Sequence, residues 1–387
     1  MQVLALSSIS AIFALFLAEG LLHLFPGFLP VELQVLISND SSERGVADPR
    51  IGNLPEAGST GVIRTRDFRI EHRIDAHGFR NSAPWPEIAD IVVIGDSLVF
   101  GYGVEADRAW PEVLKNELHG RSIVNLGLIG AGPQQYRRVY ETFGRSLRPR
   151  LVIIAMFASN DFWDAEMFEE WLASGAGGNY MEWRDFGRGT LGGKPGRTLG
   201  GLLEMLHRNS HVYNLLRFAR RAWRGDHEID HGYRLDDGTV MQLRPASLIQ
   251  RMQNASPPSA IFDIVVESIQ AIRDAAAADG ARTLVVLQPS KEKVYLPLLG
   301  ESPPDPGIAL RAALSRLHIE FLDLTPAFRQ QAAEGGALFF PNDGHPNQSG
   351  YGLIAREVAT YIALGKLLDA DGASKQFTSP RVAEQLD

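Results

Sequence analysis

The chain opens on an apolar run. Residues 1–18, "MQVLALSSISAIFALFLA", carry no charged side chain, and the first is Glu19. As a helix those residues would extend ~27 Å, close to the hydrocarbon thickness of a bilayer. The pattern predicts a membrane anchor over residues 1–24. No Lys or Arg precedes the run, and Phe16-Leu17-Ala18 breaks the small-x-small cleavage pattern. The segment therefore reads as an uncleaved anchor rather than a cleaved signal peptide or a buried core helix. Residues 25–87 follow as a polar, turn-rich linker and lead-in. Within them "VIRTRDFRIEHRIDAHGFRNS" alternates apolar and polar positions in places, which predicts a short hairpin or edge element.

From residue 88 the period changes. Ile91–Ile94, "RSIVNLGLIG", "RLVIIAMFASND", "ARTLVVLQPS" and "HIEFLDLTP" are apolar runs of strand length. Helical patterns separate them: Arg108–His119 with Asp107 as a cap, the stretch opened by Pro133, Leu310–Leu317, and a last helix over about Ser349–Leu367. Strands rich in Val, Ile and Leu, each followed by a helix, predict an α/β domain over 88–368. Its expected form is a three-layer, flavodoxin-like parallel sheet with helices on both faces. An insertion at about 162–280 interrupts it. Ten glycines fall from Ser174 through Gly201, as in a loop or lid. Val212, Leu215, Leu216, Ala219 and Trp223 mark one face of a helix there. Arg217, Arg220, Arg221 and Arg224 decorate the rest, as a solvated face or a contact for anionic headgroups or glycans. Residues 369–387 read as a flexible tail.

Composition narrows the functions. Hydrophobic residues make up 45% and the net charge is −8, which argues against a broad nucleic-acid surface. With no cysteine there is no disulfide, thiolate metal site or cysteine nucleophile.

In parallel α/β sheets, ligands bind beyond the carboxyl ends of the strands. The first strand runs into Gly95-Asp96-Ser97, which puts a serine there. The second is expected to end at Gly130, where a backbone N–H can face the cleft. The third leads into Asn160, whose amide can donate to a developing oxyanion. The loop "FFPNDGHPN" places Asp343 two residues before His345, so a carboxylate can orient an imidazole base. Each signal has a bland alternative: a helix cap, a tight turn, an Asx turn, a surface turn. Together they supply a nucleophile, two oxyanion donors, a base and its orienter. No metal and no cofactor is expected, because no recognisable ligand spacing surrounds the Asp-x-His pair. No Gly-x-x-x-x-Gly-Lys-[Ser/Thr], dinucleotide fingerprint or Gly-x-Ser-x-Gly occurs either.

These blocks resemble the SGNH (GDSL-like) hydrolases. "VVIGDSLVFGYGV" is similar to their first block, "VNLGLIGAG" to the second, "ASND" to the third and "DGHPN" to the last. Ala158 stands where the third block usually has glycine. The resemblance implies Ser97, Asp343 and His345 as catalytic residues, with Gly130 and Asn160 at the oxyanion. Many members carry Asp three residues before the histidine, where this chain has Asn342. The shorter Asp-x-His, with "VVLQPSKEKVY", resembles a membrane-anchored branch that includes alginate-type O-acetyltransferases. The expected activity is serine-dependent ester hydrolysis through an acyl-serine, on a cell-envelope or small ester. The alternatives are O-acyl transfer to or from an extracytoplasmic polysaccharide, and non-catalytic carbohydrate binding. Expected partners are an ester or acylated carbohydrate, the membrane through the first helix, and a membrane acyl donor, with no nucleic acid. The expected location is membrane-anchored, with the catalytic domain extracytoplasmic (periplasmic).

Overall fold

The computed structural model describes residues 2–30, 33, 45–175, 177–186, 206, 210–223, 231–244, 249 and 257–368. Helix α1 (Gln2–Leu24) comes first. Two antiparallel hairpins follow, β1 (Val46–Asp48) with β2 (Gly52–Leu54) and β3 (Thr60–Arg64) with β4 (Arg69–Arg73). The second is the hairpin expected from alternation: Ile63 and Ile70 are buried, and the outward positions are largely charged.

The main sheet begins with β5 (Ile91–Gly95), β6 (Ile123–Gly127) and β7 (Leu151–Met156). A small hairpin, β8 (Gly232–Arg234) with β9 (Val240–Gln242), lies in the insertion. The sheet is completed by β10 (Arg282–Leu287) and β11 (Phe321–Asp323), in the order β11-β10-β7-β5-β6 with every pair parallel. Counted along the chain this is the 2-1-3-4-5 order of flavodoxin-like sheets. The strand order reverses between β5 and β7, where ligand crevices form.

Strands β5, β6 and β7 are buried on both faces, so period-2 alternation distributes side chains between two cores. Ile91 and Val93 pack into one, with α3 (Trp110–Glu117), α9 (Lys291–Tyr295), α11 (Thr325–Ala333) and α12 (Gln348–Leu364). Val92 and Ile94 pack into the other, with α4 (Pro133–Val139), α5 (Asp161–Ala173), α8 (Ser259–Ala278) and α10 (Gly307–Arg316). The expected three layers are present. The remaining helices are α2 (Ser97–Phe100), α6 (Tyr180–Phe186) and α7 (His211–Trp223).

Four expectations need correction. The first concerns the membrane. Residues 2–24 are helical, yet among the described residues no helix is long and apolar enough to cross a membrane. The charge-free run ends at Ala18, and Glu19 is tied to the start of α7 through Ser210, His211 and Val212. The second concerns the cap of α3. Ala109, not Asp107, is its N-cap, because a 3-10 turn at Ala106–Arg108 delays the helix. The third concerns β6, which stops at Gly127, three residues before Gly130. The fourth concerns α7, where Leu216 is 61% exposed and Asn214 is buried. Most of the glycine-rich stretch, Arg224, the side chains of Arg221 and Trp223, and the tail lie outside the described residues.

Candidate active site

Strand β5 delivers Ser97 to the crevice by a local arrangement. Asp96 caps α2, its carboxylate accepting the Leu98 N–H at 2.9 Å. Ser97 is thereby the first helical residue, at the carboxyl edge of the sheet. The turn after α2 is held by Arg80, which is 1% exposed. Its guanidinium donates to the carbonyls of Phe100, Gly101 and Val104 at 3.3, 2.7 and 2.7 Å. Burial lowers the Arg80 pKa to about 10, opposed by the charge of Glu105, so it stays a cation at neutral pH. Strand β6 locks onto the same turn. Asn125 Nδ2 donates to the Val99 carbonyl at 2.8 Å, and its Oδ1 accepts the Gly127 N–H at 2.9 Å. A Cβ on Gly127 would lie 2.3 Å from the Phe100 nitrogen, so only glycine permits this approach.

His345 arrives from the other end of the chain, 248 residues away. Its Nε2 is 2.8 Å from Ser97 Oγ. On the far side of the ring, Nδ1 is 2.6 Å from Asp343 Oδ1, and the same oxygen accepts the His345 backbone N–H at 2.8 Å. An unbroken hydrogen-bonded chain therefore runs Ser97–His345–Asp343. Burial raises the Asp343 pKa, but the bonds from His345 and the nearby Lys291 charge outweigh it and hold the carboxyl below its usual range. It is ionised at neutral pH, as an orienter of imidazole must be. The Tyr102 ring packs along His345 with centroids 4.4 Å apart.

The loop carrying Asp343 is clamped from two sides. Lys291, 2% exposed, donates Nζ to the carbonyls of Phe340, Pro341 and Asp343 at 3.1, 3.1 and 2.9 Å. Asp67, beside the β3–β4 hairpin, accepts the backbone N–H groups of Asn342 and Asp343 at 2.8 and 2.7 Å, and the Asn342 side chain at 2.7 Å. Neither clamp belongs to the residues expected from sequence. Lys291 follows a strand end in "QPSK", a place where an ordinary surface lysine would look the same.

The oxyanion candidates sit on the two neighbouring turns. Asn160 is the N-cap residue of α5, and its Nδ2 lies 3.4 Å from Asp96 Oδ2. Gly130 lies in the turn after β6 with φ +68°, a conformation that favours glycine. That turn begins beside Ser97, because Leu128 N–H donates to the Gly95 carbonyl at 3.0 Å. Arg184, from the insertion, donates to the Gly130 carbonyl at 3.0 Å and to Asp164 at 3.3 Å.

Three buried carboxyls underlie these turns: Asp96, Asp161 and Asp164. Burial raises all three. For Asp96 the Leu98 N–H and His345 oppose the rise. For Asp161 the Asp96 charge adds to it, against a bond from Tyr136 at 2.7 Å. Asp164 is pushed up to about 8 despite Arg184. Crowded carboxyls in one dry region cannot all ionise.

A nucleophile, base, orienter and amide donors at a sheet's switch point fit acyl transfer. The family profile described as "GDSL-like Lipase/Acylhydrolase family" matches residues 93–353, well over half of the chain. The chain belongs to this family. As a member it is an ester-acting enzyme, a hydrolase or acyltransferase. Solved structures similar to it include a member of the lipolytic protein G-D-S-L family from Veillonella parvula. That match has 14% identity, 70% coverage of this chain, 97% of the other, and a TM-score of 0.36. LAE5, an alpha/beta hydrolase enzyme from the metagenome of Lake Arreo, Spain, shows 13% identity, 73% and 98% coverage, and a TM-score of 0.38. Axe2, an acetylxylan esterase from Geobacillus stearothermophilus, was solved as a catalytic mutant. It shows 12% identity, 76% and 100% coverage, and a TM-score of 0.35. Such scores add nothing to the family assignment. No curated protein is similar enough in sequence to count as a match.

Proposed function

We propose that this GDSL-family member is a serine esterase working through an acyl-Ser97 intermediate on O-acylated carbohydrate of the cell envelope. The observation that supports it is the hydrogen-bonded chain Ser97–His345–Asp343 at the switch point. His345 Nε2 takes the Oγ proton as Oγ bonds to the ester carbonyl carbon. The carbonyl electrons move to oxygen, facing the N–H groups of Ser97 and Gly130 and the Asn160 amide. Collapse expels the alcohol, which receives the proton from His345. Water then attacks the acyl-serine carbonyl carbon with His345 again as base; the bond to Ser97 Oγ breaks, Oγ regains its proton from His345, and the acid is released.

The second reading replaces that water with a sugar hydroxyl, giving an O-acyltransferase with a membrane acyl donor. The two-residue Asp-x-His spacing, similar to that of alginate-type O-acetyltransferases, favours it. Product analysis separates the readings. The full chain is given an acetylated hexose oligomer and an unacetylated acceptor of different mass. Mass spectrometry is expected to show free acetate at every acceptor concentration. Acetylated acceptor in its place would make the transferase the function. Glycan binding with neither product would leave a non-catalytic binding protein.

We also propose that α1 rests on a membrane surface, on the extracytoplasmic side, without crossing it. Phe13, Phe16, Leu24, Phe25 and Phe28 are each at least half exposed, an apolar area that water alone does not favour. The full chain is expected to co-sediment with anionic vesicles and to be cleaved by protease added to spheroplasts. A chain left in the supernatant removes the contact, and protection in spheroplasts removes the location.

A further inference from the structure

Away from the crevice, α1 and α7 bring together three metal-ligating side chains that ester chemistry does not use. Glu19 and His23 are four residues apart on α1, so they share a face. The Glu19 carboxylate is fixed by the start of α7. Its Oε1 accepts the His211 N–H at 2.6 Å, and its Oε2 accepts Ser210 Oγ at 2.7 Å and the Val212 N–H at 3.1 Å. This docking sets the His211 ring against His23, with centroids 3.8 Å apart and the two Nδ1 atoms facing each other.

Nδ1 of His23 is 3.3 Å from Glu19 Oε1, and Nδ1 of His211 is 3.7 Å from it. The three ligand atoms all lie within 4.8 Å of one another. Ligand atoms around a tetrahedral ion with bonds of ~2.0–2.1 Å are separated by about 3.3 Å. Both imidazole nitrogens stand close to that spacing from the carboxylate oxygen, while the two nitrogens stand closer to each other and would move apart around an ion. Two imidazole nitrogens that face each other share either one proton, as an N–H···N bond between neutral rings, or an ion. A carboxylate oxygen within reach of both favours the ion. His23 Nδ1 also lies 3.2 Å from the Glu19 carbonyl, a bond available only when Nδ1 carries the proton. Metal binding takes the other tautomer, with the proton on Nε2. The bonds from Ser210 and Val212 would then orient the carboxylate ligand, as outer partners do in metal sites.

We propose that Glu19, His23 and His211 bind one divalent transition ion of the zinc class. Two imidazoles and a carboxylate suit zinc, and His23, half exposed, leaves the fourth position open to water. The ion joins the first helix to the insertion, residues 188 apart in sequence.

The test uses the full chain, stripped with chelator and titrated with zinc chloride against a chromophoric competitor. One equivalent is expected to bind, and His23→Ala and His211→Ala are each expected to weaken it at least tenfold. Turnover of p-nitrophenyl acetate by the same preparations reports that they are folded. No stoichiometric binding, or unchanged binding in the double variant, overturns the site. A second measurement needs no variant: zinc is expected to protect His23 and His211 from diethylpyrocarbonate, mapped by peptide mass spectrometry. Equal labelling with and without zinc, or protection of His345 alone, overturns the proposal as well.

Discussion

Ser97→Ala is expected to lower turnover of p-nitrophenyl acetate by roughly 10⁴–10⁶-fold, with any remnant coming from binding and oxyanion donors. The protein should stay folded. The Ser97 backbone carbonyl, which accepts from Gly101 and Tyr102, is untouched by the change. Asp96, not Ser97, supplies the side-chain cap of α2. The lost Oγ bond is to a ring whose side chain is 24% exposed, so water can replace it. The change in stability is therefore about 1 kcal/mol or less. Two measurements check it. Steady-state kinetics should show the loss in kcat, and intact-mass spectrometry after rapid quench should show an acyl adduct on the unmodified chain alone. Undiminished turnover, or an adduct on the alanine variant, would remove Ser97 from the nucleophile's place.

How far these residues could be read before folding follows from how local each signal is. Strands β5, β6 and β7 were legible because burial at every position writes itself as runs rich in Val, Ile and Leu, as in Ile91–Ile94. Ser97, Asn160, Asp343 and His345 were legible because a polar residue within a few positions of such a strand's end, or in a short Asp-x-His loop, is a local pattern. Gly130 was named, but its strand ends at Gly127, since three further apolar or glycine residues look like more strand. The clamps were not legible. Lys291 and Asp67 act on backbone atoms at least 49 residues away, and nothing near either of them records that partner. The buried carboxyls Asp161 and Asp164 follow Asn160 in an ordinary acidic first turn, so their burial is a tertiary fact. The first helix shows the same limit. Its apolar run reads as a membrane span, while the i, i+4 spacing of Glu19 and His23 gains meaning only when α7 brings His211 beside it.

Replacing Asp343 separates orientation from charge. Asp343→Ala is expected to lower kcat by about 10⁴, as removal of the orienting carboxylate does in comparable serine enzymes. Asp343→Asn should lose much less than that, about 10²-fold. The reason is a detail of this loop. Where an amide replaces an orienting carboxylate, the usual damage is that its NH₂ turns toward the imidazole and fixes the wrong tautomer. Here one oxygen, Oδ1, accepts both the His345 backbone N–H at 2.8 Å and Nδ1 at 2.6 Å. The backbone N–H cannot be satisfied by an NH₂ group, so it holds the amide oxygen in that position. Nδ1 then keeps its proton, and Nε2 stays an acceptor for Ser97. What the asparagine lacks is the negative charge that stabilises imidazolium as the proton leaves Oγ. The loop itself should hold in both variants, since Lys291 grips the carbonyl of residue 343 and Asp67 its N–H. Steady-state kcat for the two variants, beside thermal melts, decides the matter. Equal and large losses would mean that the amide rotates despite the backbone bond. Losses under tenfold in both would mean that His345 needs no orienter, and the chain from Ser97 would end at the imidazole.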